Sequence, residues 1–119
     1  MMSGSGSGGR LDKKNLTDAG PFRFGIVVSE WHQQITNVLF NCAVETLLKC
    51  GAKKENISSF YVPGSFELTA GANMLASTKK YDAIICLGCV IQGETRHFEF
   101  ICNAVANGIS HVSLTHICP

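Results

Sequence analysis

Long apolar runs are missing from this 119-residue sequence: none approaches the roughly 20 residues that cross a bilayer. Excess charge is missing too. Ten Lys and Arg face nine Asp and Glu, and the surplus lies in the first 21 residues, where Arg10, Lys13 and Lys14 outnumber Asp12 and Asp18. Residues 22–119 hold seven of each sign, which argues against partners recruited by charge, such as nucleic acid or an acidic membrane surface. Met1–Arg10 lacks the apolar core of a secretory signal. No internal repeat is present, and His32, His111 and His116 show no metal-ligand spacing with carboxylates, so no metal is expected. What remains is one globular domain, with the cytoplasm as its expected compartment.

Six cysteines are present, yet their placement does not suggest a disulfide scaffold. Cys42, Cys50 and Cys102 fall in helical patterns, and Cys86 and Cys89 in an apolar run, where a small apolar residue is wanted. Cys86-Leu-Gly-Cys89 matches the redox and zinc spacing C-x-x-C. On an extended strand, residues three apart point to opposite faces, so the pair could not share a metal there.

Met1–Gly9 holds four of the twelve glycines and three serines, the composition of a flexible linker or an appended scar, and Arg10–Pro21 reads as a polar, loosely held arm. The folded body is expected over 22–119. Phe24–Ser29 is a continuous apolar run, the mark of a strand buried on both faces. Ile35, Val38, Leu39, Cys42, Ala43, Thr46, Leu47 and Cys50 recur at helical spacing, and Gly51 ends that helix. A second strand is expected over Ile57–Val62, and a second helix over Ser65–Thr78 that buries Leu68, Ala72, Leu75 and Ala76. A third strand is expected over Ala83–Ile91, and a third helix from near Thr95 that buries Phe98, Cys102, Val105, Ile109 and Val112. Strands alternating with helices predict a parallel sheet with right-handed crossovers. The third helix has no following strand before Pro119, so its apolar face and a free edge at strand one or three should be poorly covered.

In such sheets ligands bind at the carboxyl ends of the strands. Trp31, just past strand one, is either a core or helix-entry aromatic or a platform for a flat heterocycle. Pro63-Gly-Ser-Phe-Glu67 presents a tight turn and a cluster of amide donors, and Glu67 either accepts from a ligand or only offsets the helix dipole. Gly93-Glu-Thr-Arg-His-Phe-Glu99 combines a small anion nest with His97, which is either structural or a proton carrier. Arg96 either pairs with phosphate or faces solvent. The Gly-Lys-Ser/Thr of a P-loop is absent, which argues against nucleotide hydrolysis.

These segments, in this order, resemble lumazine synthase. The likeness runs from Phe24 to Val112 through Gly25-Ile-Val-Val-Ser29 with Trp31, Val62-Pro-Gly-Ser-Phe-Glu-Leu68, Tyr81-Asp-Ala-Ile-Ile85 with Leu87-Gly88, and the string Val90 to Gly108. It implies a flavodoxin-like three-layer α/β/α fold with a parallel sheet, here lacking the last strand and final helices. It also implies a transferase of riboflavin biosynthesis that condenses 5-amino-6-(D-ribitylamino)uracil with 3,4-dihydroxy-2-butanone 4-phosphate to 6,7-dimethyl-8-ribityllumazine, with no cofactor. By the resemblance, Trp31 stacks on the pyrimidine, and Ser65, Phe66 and Glu67 bind its polar groups and ribityl chain. Cys89, Val90 and Ile91 contact the pyrimidine, Glu94 and Thr95 cradle the phosphate, and His97 transfers a proton. Gln92 stands where the family usually has Arg or Lys, and His32 where Asn is common.

The implied partners are the two small substrates, further copies of the chain in a cytoplasmic homopentamer or larger shell, and riboflavin synthase; neither nucleic acid nor membrane is implied. In the family a neighbouring subunit donates an aromatic and a phosphate-binding arginine from a segment corresponding to residues beyond Pro119. Without that charge-assisted contact, a loss on the order of 1.5–3 kcal/mol, turnover is expected to be weak or absent. The alternatives are a catalytically impaired ribityl-heterocycle binding module and a purely structural shell protein. A receiver domain is disfavoured, because it needs paired acids after strand one and an aspartate after strand three, where this chain has Glu30 and Cys89.

Overall fold

The computed structural model describes residues 17–93 and 97–119. Three strands, β1 (Phe24–Ser29), β2 (Ile57–Val62) and β3 (Ala83–Leu87), alternate with three helices, α1 (Gln33–Lys49), α2 (Leu68–Ser77) and α3 (His97–His116). The strands form one parallel sheet in the order β2-β1-β3, the α/β arrangement anticipated above. Of the tail and arm expected over residues 1–21, residues 1–16 lie outside the described residues.

The central strand is the most deeply buried, because it alone is paired on both edges and covered on both faces. Ile26, Val27 and Val28 have no exposed surface. From β1 the chain passes outward to β2 and then returns across β1 to β3. Two right-handed crossovers running in opposite directions put α1 and α2 on opposite sides of the sheet. On the α2 side, Val27, Leu68 and Leu75 form one buried cluster, joined by Val62, Tyr81 and Ile84. A second cluster of Ala72, Ala76 and Val112 seats α3 on α2. The expected buried set of α2, namely Leu68, Ala72, Leu75 and Ala76, is the observed one.

Four expectations need correction. First, β3 ends at Leu87 rather than Ile91, because its ladder with β1 stops at the Val28–Leu87 pair. Gly88–Gly93 therefore continues without strand pairing. Second, the apolar stripe of α1 is not buried. Thr36 is its only buried residue, while Ile35, Val38 and Leu39 are 41, 59 and 38% exposed and Cys42 is exposed. A sheet three strands wide is too narrow to cover that stripe. Third, only Val112 of the expected α3 set is buried; Phe98, Cys102, Val105 and Ile109 are half-buried, because α3 rests on the small side chains of α2 along one line. Fourth, β1 is central, so the sheet edges are β2 and β3, and the Ile84 N–H on the β3 edge donates to the Pro119 carbonyl at 2.9 Å.

The last residues of the polar arm are docked on the body: the Ala19 N–H donates to the Cys50 carbonyl at 2.9 Å, and Ala19 is buried. All six cysteines are unbridged. Burial pushes the Cys86 thiol above its usual range, and burial followed by the Asp82 carboxylate does the same to Cys118.

Two variants test the packing. The Ser29 hydroxyl, at the end of β1, is fully buried with no hydrogen-bond partner. Ser29→Ala removes an unsatisfied group and should stabilise the fold by about 1 kcal/mol in thermal denaturation. At the α2–α3 crossing, a Cβ on Gly108 would overlap the Thr69 hydroxyl and lie 2.7 Å from Thr69 Cγ2. Gly108→Ala should therefore destabilise by about 1–3 kcal/mol despite the better helix propensity of alanine, and Thr69→Ala in the same chain should recover most of that loss.

Candidate functional site

In a sheet ordered β2-β1-β3 the strand order reverses between β1 and β3, and the carboxyl ends of these two strands flank a crevice. A cavity of about 320 Å³ opens there, lined by Trp31, Gly64, Ser65, Phe66, Cys89, Val90, Ile91, His97, Phe98 and Ile101. Its size falls within the range of small-molecule sites. Seven residues singled out in the sequence line it together: Trp31, Ser65, Phe66, Cys89, Val90, Ile91 and His97.

Trp31 is half exposed, so its ring is not a core aromatic. Its N–H donates to the Pro63 carbonyl at 3.1 Å, which ties the β1 exit to the β2 exit. The His32 ring stands edge-on to the indole, with centroids 4.6 Å apart. His32 itself occupies the left-handed region with φ 62°, a conformation that asparagine adopts more readily than histidine. Cys89, Val90 and Ile91, just past the end of the β3 ladder, form the wall of the same cavity. His97, in the first turn of α3, brings a titratable imidazole to the same space.

Glu67 is placed differently. The Gly64 N–H donates to Glu67 Oε1 at 2.9 Å, while the Glu67 N–H donates to the Gly64 carbonyl at 3.2 Å. One carboxylate oxygen thus closes the 3-10 turn Ser65–Glu67, and Glu67 does not line the cavity. Gln92 is exposed and also absent from the lining. Glu94 and Thr95, the expected phosphate cradle, lie outside the described residues, as does Arg96.

Three lining residues escaped the sequence reading. By sequence Gly64 reads only as a turn former, and Phe98 as part of the α3 core face. The signal for Ile101 is its spacing of four from His97, which puts the two on one helix face. A larger groove of about 730 Å³ lies between α2 and α3, but Phe66 is the only singled-out site residue in its lining.

A parallel α/β protein with an aromatic plate, an apolar wall and an imidazole at its topological switch point is built to bind a small molecule with a flat apolar part. Comparison with known proteins narrows that class. The sequence model of the 6,7-dimethyl-8-ribityllumazine synthase family matches residues 21–119. The 6,7-dimethyl-8-ribityllumazine synthase of Cytophaga hutchinsonii is 63% identical over 91 residues, covering 76% of this chain and 57% of that protein. The protein of the same name from Bacteroides fragilis is 52% identical over 97 residues, covering 82% of this chain and 68% of the relative. That from Flavobacterium psychrophilum is 47% identical over 108 residues, with 91% of this chain and 57% of the relative covered. The chain belongs to the 6,7-dimethyl-8-ribityllumazine synthase family. It spans a little over half the length of the first of these relatives. Among the described residues, no helix is long and apolar enough to cross a membrane.

The Glu67 contact can be tested directly. Glu67→Ala should lower stability by about 1 kcal/mol in urea denaturation, whereas Glu67→Gln, which keeps an acceptor oxygen for the Gly64 N–H, should lose less than half of that.

Proposed function

We propose that the chain acts as a lumazine synthase, a transferase joining 5-amino-6-(D-ribitylamino)uracil to 3,4-dihydroxy-2-butanone 4-phosphate with release of phosphate and water. The observation that carries this reading is the cavity at the strand ends, where Trp31 and the Cys89–Ile91 wall flank space for a flat ring beside His97. In this reading the pyrimidine lies against the Trp31 ring and Val90, with Phe66 and the turn at Ser65 facing its ribityl chain. The amine of the uracil adds to the ketone carbonyl and water leaves. Loss of phosphate leaves a second carbonyl, which the ribitylamino nitrogen attacks; loss of a second water then closes the ring to 6,7-dimethyl-8-ribityllumazine. His97, within the same cavity, carries the proton between these steps. Holding two reactive substrates together supplies much of the acceleration. Glu94 and Thr95 cradle the phosphate.

Self-association into a homopentamer is part of the proposal. It is supported by large apolar side chains left on the surface, among them Phe100 at 67% and Leu114 at 76% exposed. A cytoplasmic setting agrees with six unbridged cysteines, and riboflavin synthase is the enzyme that would receive the product.

Calorimetric titration with 6,7-dimethyl-8-ribityllumazine should give saturable binding, weakened about tenfold by Trp31→Ala through lost ring contact. Mixing the two substrates should produce lumazine absorbance, and His97→Ala should abolish the product while retaining binding. Binding without product in the unaltered chain would favour a ribityl-heterocycle binding module. An unaltered chain that binds no lumazine contradicts the proposal.

A further inference from the structure

We propose that Ser65 is a positioning residue whose hydroxyl clasps the exit of β3 to the turn that opens α2, and that Gly88 is the position that makes this clasp possible. The proposal rests on reading the strand-end cavity as the heterocycle site. Ser65 is buried, and its Oγ donates to the Cys89 carbonyl at 3.2 Å. A serine hydroxyl has a single proton to donate and two lone pairs that accept. With that proton directed at Cys89, Ser65 donates to the segment it holds and not to a ligand.

The clasp joins two segments of the cavity lining: Gly64, Ser65 and Phe66 from the turn after β2, and Cys89, Val90 and Ile91 from the chain after β3. Ladder pairing with β1 ends at Leu87, so the wall that faces Trp31 begins where the sheet stops supporting it. The Ser65 hydroxyl meets the chain two residues further on and fixes the spacing of the two segments.

Gly88 sits directly under this contact. A Cβ there would lie 2.6 Å from Ser65 Oγ, 2.8 Å from Leu68 Cδ1 and 3.4 Å from Ser65 Cβ. Leu68 Cδ1 is the far end of a flexible side chain and can give way. The Ser65 hydroxyl turns only about χ1, and any rotation that clears a Cβ at Gly88 carries the hydroxyl away from the Cys89 carbonyl. Gly88 and Ser65 therefore form one unit: a side chain at position 88 and loss of the hydroxyl at position 65 break the same bond.

The test uses the unaltered chain, Ser65→Ala, Gly88→Ala and the double variant. Two readouts are taken: amide hydrogen exchange without ligand, and calorimetric titration with 6,7-dimethyl-8-ribityllumazine. Ser65→Ala should speed exchange at Cys89, Val90 and Ile91 by about three- to tenfold while leaving the β1 amides unchanged. It should weaken lumazine binding by a similar factor. Gly88→Ala should do the same, and the double variant should be no weaker than the worse single one, because both substitutions remove one shared contact. Multiplied losses in the double variant would overturn the pairing of Gly88 with Ser65. Weakened binding in Ser65→Ala with unchanged exchange at Cys89–Ile91 would mean direct contact with the ligand and would overturn the positioning role. If Gly88→Ala does not fold, the Ser65→Ala exchange measurement still decides that role. If the unaltered chain binds no lumazine, the heterocycle reading fails, and exchange alone then judges the clasp.

Discussion

Burial of β1 on both faces and both edges is the constraint on which the rest of the molecule depends. Ile26, Val27 and Val28 lose all exposure only if β2 and β3 flank the strand and a helix covers each side. The crossover from β1 to β2 and the one from β2 back past β1 to β3 run in opposite directions, which makes the carboxyl end of β1 the point where the strand order reverses. Trp31 follows that end by two residues. The cavity is thus a consequence of how the central strand is buried, and its wall residues are those that the register brings level with Ser29: Val62 and the turn after it, and the segment just past Leu87.

Much of this was legible in the sequence. The boundaries of β1 and β2, and the buried face of α2, follow from apolar spacing and from the Pro63-Gly64 break, whereas the expected helix start at Ser65 is a 3-10 turn and α2 begins at Leu68. Of the ten cavity-lining residues, Trp31, Ser65, Phe66 and His97 lie in segments that the strand-end pattern singles out, while Cys89, Val90 and Ile91 follow only from the family resemblance. The rest depended on partners that spacing does not encode. The apolar run after Ala83 continues to Ile91, yet a strand lasts only as long as its neighbour, and β1 ends at Ser29. The α1 stripe has helical spacing, yet burial needs a surface to cover it. Glu67 reads equally as a ligand acceptor or as an offset to the helix dipole, and only geometry puts one of its oxygens on the Gly64 N–H.

Family membership and site geometry converge without either standing in for the other. The family match covers residues 21–119, and the residues that the resemblance assigns to the heterocycle include those gathered around the cavity. The geometry adds a division of labour that a motif cannot express. In the Pro63-Gly-Ser-Phe-Glu67 turn, Glu67 closes the turn, Ser65 holds the segment after β3, and Phe66 is left 58% exposed at the mouth.

The central claim is that a flat heterocycle binds between Trp31 and the Cys89–Ile91 wall. The most direct measurement is a crystal structure of the chain with 6,7-dimethyl-8-ribityllumazine. The account predicts the bicyclic ring stacked on Trp31 and in contact with Val90, its ribityl chain running toward Phe66. A ring bound instead in the groove between α2 and α3, with Trp31 uncovered, would contradict it.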